Sequence, residues 1–322
     1  MRFSTQELLD GVSLFSKARV LVVGDIILDQ YTFGETERLS PEAPIPVLKK
    51  IKDEYTLGGA ANVAANVASL GGEVTLAGVI GRDDYAQILK NLLACARVSP
   101  SALISHKTRG TILKQRLVAG NHQLLRVDIE DPSKYEEEIY KEMFEKIKKL
   151  MKKVSVVVLS DYDKGCFSKT FTEAVIKEAK KLKRFIIADC KPSNLHFFSD
   201  ADLLTPNFKE GKEMTGERES SAIGKSLLKK TKANILLTRG AEGMDLFLRK
   251  EAMVHIPAHP VEVFDVSGAG DTVVAVMALA VASGSDLNKA ATIATAAASN
   301  VVSKMGTATV GIDELYVALD FQ

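Results

Sequence analysis

The heptapeptide Arg19-Val-Leu-Val-Val-Gly-Asp25 sets how the rest of the chain is read. It is β-branched and apolar, lacks the polar alternation of a strand with one wet face, and ends on a glycine–aspartate turn. Such a run belongs in a sheet covered on both sides. The same signature returns at EVTLAGVIG (73–81), VSVVVLSD (154–161), RFIIADC (184–190) and NILLTRG (234–240), with amphipathic or alanine-rich segments between. That rhythm predicts an α/β fold, a central, mostly parallel sheet with helices on both faces.

Two regions break the rhythm. One runs from about 31 to 57 and holds Pro41, Pro44, Pro46 and the run IPVLKKI; the other runs from about 108 to 127 and holds TILKQRLVAG and HQLLRV around Gly120-Asn121. Both read as strands and turns without a crossover helix. They are expected to leave the main sheet and pair as a small, two-stranded β lid able to close over a substrate. With no long linker, repeat or low-complexity segment, residues 1–322 read as one domain carrying that lid.

Composition narrows the function classes. The 322 residues are 46% hydrophobic and 26% charged, and 42 basic residues against 41 acidic ones leave a charge of +1, so no whole-chain field advertises nucleic acid or a membrane surface. The lysine-rich stretch 141–153 keeps apolar residues at helical spacing and reads as a solvated helix face. Cys95, Cys166 and Cys190 form no Cys-x-x-Cys pair and read as reduced thiols of a cytoplasmic protein. Gln6, Glu7 and Asp10 interrupt the first apolar residues, which fits an amphipathic helix better than a signal peptide, and Val273–Ala282 is too short to span a bilayer.

The strongest chemical signal is DVSGAGDTVVAVMALAVASG (265–284), where Asp265 to Asp271 precede a long apolar helix. Gly268 and Gly270 permit close backbone approach, and the helix N-terminus offers unpaired N–H groups to a phosphate. Asp271, in the first turn beside that anion site, is placed to accept a proton from an attacking hydroxyl. The competing reading is that it merely supports the helix N-terminus. A dinucleotide fingerprint fails because Val273 stands at the third glycine position, and Gly224-Lys225-Ser226 only imitates a phosphate loop, since Glu219 stands where the earlier glycine is required. The latter reads as a helix surface. The five histidines are scattered and form no zinc motif.

Two further stretches carry chemistry. Gly58-Gly59 opens a helix whose early Asn62 can hydrogen-bond a polyol, against the reading of an ordinary glycine turn. In TPNFKE, Asn207 and Glu210 stand three apart after a strand, a spacing that suits water ligands of magnesium or, equally, a helix cap.

Together these segments resemble the PfkB family of sugar kinases over nearly the whole chain, through GGAANVA (58–64), Gly71, Gly81 and DVSGAGD (265–271) in that order. The resemblance implies a ribokinase-like fold with substrate under a β lid and ATP at the carboxyl edge of the sheet. Within the family the chain is most similar to the kinases of D-glycero-β-D-manno-heptose 7-phosphate, through VVGDIILDQY, RLSPEAPIPVL, GGAANVAANVASLGG, NHQLLRVD, LLTPN and KMGTATV. That implies phosphorylation of an anomeric hydroxyl to heptose 1,7-bisphosphate on the way to ADP-heptose and lipopolysaccharide. In many such relatives a nucleotidyltransferase domain follows; a chain ending soon after the kinase motifs implies a monofunctional kinase.

By resemblance, Asp271 is the base, and Gly268, Ala269 and Gly270 form an anion hole. Asp29, Gly58, Gly59, Asn62 and Asp161 would hold sugar hydroxyls. Lys114, Arg116, Arg126, Lys164 and Lys191 are the cations from which the 7-phosphate ligands are drawn. Asn207 and Glu210 would sit near magnesium, Thr238, Gly240 and Gly243 along ATP, and Asp265 and Ser267 at a loop for a monovalent cation such as potassium. A homodimer through the lids is also implied, consistent with the open strand edges of a lid. The chain departs from the family pattern at Asp189-Cys190-Lys191 and at Thr295, and Asp25 is open between binding substrate and supporting Asp29. The alternatives are a PfkB kinase for another sugar, such as ribose or a fructose phosphate, and a non-catalytic sugar- or nucleotide-binding protein.

Overall fold

The computed structural model describes residues 3–120, 122–304 and 306–320, so Asn121 of the expected Gly120-Asn121 turn lies outside the described residues. In chain order the elements are α1 (Thr5–Ser13), β1 (Arg19–Gly24), β2 (Ile26–Leu39), β3 (Pro46–Gly59), α2 (Ala60–Ser69), β4 (Glu73–Ile80), α3 (Asp84–Cys95) and β5 (Ser99–Ser105). Next come β6 (Ile112–Ala119), β7 (His122–Ile129), α4 (Glu137–Met151), β8 (Val156–Ser160), α5 (Lys169–Lys181), β9 (Phe185–Asp189) and β10 (Leu203–Leu204). The last are α6 (Phe208–Thr215), α7 (Ser220–Lys230), β11 (Asn234–Thr238), β12 (Met244–Phe247), β13 (Val254–Ile256), α8 (Ala269–Ala282), α9 (Leu287–Val301) and α10 (Ile312–Asp320).

The main sheet has the order β13-β12-β11-β10-β9-β8-β1-β4-β5, parallel from β11 to β5 and closed at the other edge by the antiparallel β12 and β13. Alternate side chains explain its continuous apolar runs. Val20, Val22, Val156 and Val158 pack with α2, α8 and α9, whereas Leu21, Val23, Val157 and Leu159 pack with α4, α5 and α7 on the opposite face. α8 is apolar all round and buried from Asp271 to Ala280, so its N-terminus is held rigidly at the carboxyl ends of the strands.

The lid is a second sheet of four strands, in the order β3-β2-β6-β7, rather than a two-stranded ribbon. β2 pairs antiparallel with β3 and parallel with β6, a distant partnership that no local sequence pattern records. The chain enters the lid directly from β1 through Asp25 and returns at Gly59, whose φ of +55° and closeness to the Asp25 carbonyl leave no room for a Cβ. This junction seats the lid over the carboxyl ends of the central strands.

α4 carries the lysine-rich stretch and buries Tyr140, Met143, Ile147 and Met151, as its periodicity predicts. Gly224 departs from the surface reading. It is buried in α7 against the Phe247 ring, where a Cβ would collide, while Lys225 is exposed. Cys166 and Cys190 are buried and Cys95 is exposed, all as free thiols. Among the described residues, no helix is long and apolar enough to cross a membrane.

Candidate active site

Asp271 occupies the first turn of α8, behind Gly268, which caps the helix in the left-handed region at φ 80°. The carboxylate is buried. Its Oδ2 accepts a hydrogen bond from Asn62 Nδ2 at 2.7 Å, and its Oδ1 accepts one from the Tyr162 hydroxyl at 2.6 Å. Burial pushes the acid up to about 6, against the lowering effect of both hydrogen bonds. Behind it, Asn66 donates to Asn62, and the Thr272 hydroxyl donates to Asn66 Oδ1, so a polar chain ties α2 to α8. A Cβ on Gly268 would approach Asn62 Nδ2 to 2.8 Å, which shows how tightly the two helix starts are fitted. Asn62, expected on a sugar hydroxyl, is thus engaged with the carboxylate.

The lid side is lined by charge. Asp29 on β2 is buried and pairs with Arg116 Nη1 at 2.5 Å, and a Cβ on Gly58 would collide with its carboxylate. Lys114 lies two residues before Arg116 on β6, its ammonium 5.8 Å from the Tyr162 ring centroid. Desolvation leads in lowering the Lys114 pKa, against the pull of Asp29 and Asp128. Arg126 is turned onto its neighbour Asp128, and Lys164 pairs with Glu130 at 2.6 Å. Asp161 accepts from the Asp163 and Lys191 backbones and from Asn194 Nδ2, which employs it in shaping the loop after β8.

Asp25 answers to neither expected role alone. Its carboxylate accepts backbone N–H bonds from Tyr162, Lys164 and Cys166, so it holds the loop that carries Tyr162. Burial, reinforced by Asp161, pushes its pKa up to about 7.

On the other side of Asp271 a polar cleft of about 140 Å³ is lined by Asp189, Lys191, Asn207, Glu210, Thr238 and Gly270. Asn207 and Glu210 form a reciprocal cap at the start of α6, and the second Glu210 oxygen accepts from Lys191 Nζ at 2.7 Å. Lys191 therefore stands here rather than among the lid cations. Burial, with Glu210 nearby, pushes Asp189 up to about 8. The cleft opens, at Thr238 and Gly270, into an apolar cavity of about 360 Å³ whose lining includes Gly240, Gly243, Val261, Thr295 and Ala298. Thr295 spends its hydroxyl on the Ala291 carbonyl and presents an apolar face. Desolvation alone would raise Asp265, but N–H bonds from Ser267 and Gly306 hold it below the ordinary carboxylate range.

Against known proteins, residues 17–314 match the profile of the pfkB family carbohydrate kinases. The chain belongs to that family. It is 42% identical over 308 residues to the bifunctional protein HldE of Caulobacter sp. (strain K31), and 42% identical over 317 residues to that of Shewanella sediminis (strain HAW-EB3). These matches cover 94% and 95% of this chain but only 62% and 64% of those relatives, so the chain spans less than two thirds of their length. Its fold is also that of the Arabidopsis thaliana ribokinase solved with ribose and ATP (TM-score 0.76, 20% identity, 95% of this chain and 99% of that one). The phosphofructokinase-2 of Escherichia coli solved with potassium aligns similarly (TM-score 0.80, 21% identity, 94% and 99%).

As a pfkB kinase the chain is an ATP-dependent carbohydrate kinase, and its own residues fit the nucleotide: an apolar cavity of nucleoside dimensions leads into a polar cleft at a helix N-terminus. Among the described residues no group of three or more His, Cys, Asp or Glu side chains is arranged to hold a metal ion. Sequence reasoning missed Tyr162 and Asp189. The only signal was their position at the carboxyl ends of predicted strands, where ligands gather in open α/β sheets.

Proposed function

We propose that this pfkB kinase transfers the γ-phosphoryl group of ATP to the anomeric hydroxyl of D-glycero-β-D-manno-heptose 7-phosphate, giving heptose 1,7-bisphosphate in a cytoplasmic route to ADP-heptose and lipopolysaccharide. The observation that carries the reading is the position of Asp271, buried between the charged lid residues Asp29, Lys114 and Arg116 and a phosphate-sized cleft on a helix N-terminus. The sugar O–H bond breaks as its proton passes to Asp271; the oxygen bonds to the γ-phosphorus, and the old phosphorus–oxygen bond breaks with its electrons left on ADP. The N–H groups of Gly268, Ala269 and Gly270 meet the developing charge. Asp29 and Gly58-Gly59 face the sugar, and the lid cations Lys114, Arg116, Arg126 and Lys164 supply the charge for the distal phosphate. Magnesium held near Asn207 and Glu210 would neutralise the nucleotide phosphates. Asp265 and Ser267 frame a loop for potassium.

ADP release with magnesium-ATP, measured on heptose 7-phosphate, fructose 6-phosphate, ribose and fructose with the product position determined, tests this. The expected result is preferred turnover of heptose 7-phosphate at the anomeric oxygen, abolished by a chelator and higher in potassium than in sodium. Preference for an unphosphorylated sugar would reject the distal-phosphate site while keeping the kinase.

The lid is also proposed to pair with a second copy. All eight residues of β7 are exposed, with Leu124, Leu125, Val127 and Ile129 presenting apolar surface on an open strand edge. Sedimentation at micromolar concentration should read a dimer, and Leu125→Glu should shift it to monomer; a monomeric parent chain rejects the pairing.

A further inference from the structure

We propose that Tyr162 is a positioning residue for phosphoryl transfer, its hydroxyl clamping Asp271 in the rotamer and ionisation state that receive the sugar proton. The Tyr162 oxygen lies 2.6 Å from Asp271 Oδ1, on the side of the carboxylate opposite Asn62. With both oxygens engaged, the carboxylate cannot turn, and each oxygen keeps one lone pair free to receive the proton of the incoming hydroxyl. The ring stands between the lid and the phosphate cleft, with Lys114 Nζ 5.8 Å from its centroid on the lid side and Lys191 Nζ 5.3 Å away toward the cleft.

Tyr162 is itself held from behind, because its backbone N–H donates to Asp25 at 2.8 Å. The charged groups facing Asp271 are Asp29 from β2 and Lys191 from the loop after β9; those facing Tyr162 include Asp189 and Asp29. Burial and these acids raise the phenol far above its ordinary value, so it remains a donor wherever Asp271 titrates. A donor of this kind favours the ionised carboxylate.

The proposal rests on Asp271 as the base but not on which sugar supplies the hydroxyl. Tyr162→Phe keeps the ring and its contacts with both lysines. It should lower kcat about tenfold to a hundredfold, the range for a hydrogen bond to a charged group. Both KM values should stay within about threefold, placing the loss in the transition state. The acid limb of the pH–rate profile should move up by about one unit. Substrate phosphates titrate identically in both enzymes, so the difference between profiles reports the base. Replacing Tyr162 with 3-fluorotyrosine, a stronger donor, should move the limb down.

An unmoved acid limb in both replacements overturns the proposal, whether or not KM changes, and reduces Tyr162 to a wall. If Tyr162→Phe does not fold, the direction of the fluorotyrosine shift decides alone. An active Asp271→Asn enzyme would instead reject the base itself. Loss of activity in Asp271→Asn with a parent-like Tyr162→Phe rejects only the tyrosine's role.

Discussion

Asp271→Asn will lower kcat by about a thousandfold, within the usual span for general-base catalysis, while leaving ATP binding close to that of the parent chain. The nucleotide cavity and the α8 N–H groups do not need the charge, whereas among the described residues no other buried carboxylate is hydrogen-bonded to both Asn62 and Tyr162. The fold should survive. An asparagine at this position can still accept from Asn62, and the Tyr162 hydroxyl can rotate to accept from the new amide.

The pH dependence gives the sign independently. Asp271 titrates near 6 in the folded chain, raised by burial above its ordinary 3.8, and it must be ionised to take a proton. Turnover of the parent chain should therefore fall about tenfold per unit once the pH drops below about 6. For stability the sign is opposite. A carboxyl with a raised folded pKa contributes stability below its unfolded value and loses it as the pH rises through 6, so at neutral pH the ionised Asp271 is a burden. Asp271→Asn should unfold at the same temperature as the parent chain or higher. Unchanged kcat, or an unfolded variant, would reject this account.

Arg116→Ala carries the second large effect, a loss of about 3 kcal/mol or more of folding stability together with loss of sugar turnover. The Arg116 and Asp29 side chains are only 14% and 4% exposed, so removing the guanidinium leaves an unpaired carboxylate in the lid cleft. The cost comes from that stranded charge rather than from the worth of the pair. Asp29→Asn combined with Arg116→Ala should then recover much of the stability while remaining inactive. Urea unfolding of the parent chain, the two single variants and the double variant measures the coupling. A single Arg116→Ala cost below about 1 kcal/mol would make the pair a surface ornament.

The residues read most easily were those whose role is local. RVLVVGD and its counterparts are apolar on both faces because helices cover both faces, and DVSGAGD announces a helix N-terminus beside close backbone approach. Residues whose role depends on partners far along the chain were harder. Asn62 looked like a sugar ligand, but its partner stands 209 residues later on α8. Lys191 was grouped with the lid cations because charge alone has no address; the ion pair with Glu210 places it in the phosphate cleft. Tyr162 sat unnoticed in a turn, since a tyrosine has no signature until its hydroxyl is found on a carboxylate.

The sequence by itself determined the alternation of strands and helices, the family and the place of Asp271, because these follow from periodicity and from contiguous motifs. Tertiary structure alone decided the four-stranded lid, the division of cations between the lid and the phosphate cleft, and the hydrogen bonds that hold Asp271. Each of those depends on which distant segments meet, and parallel strand pairing and buried charge contacts leave no local pattern to read.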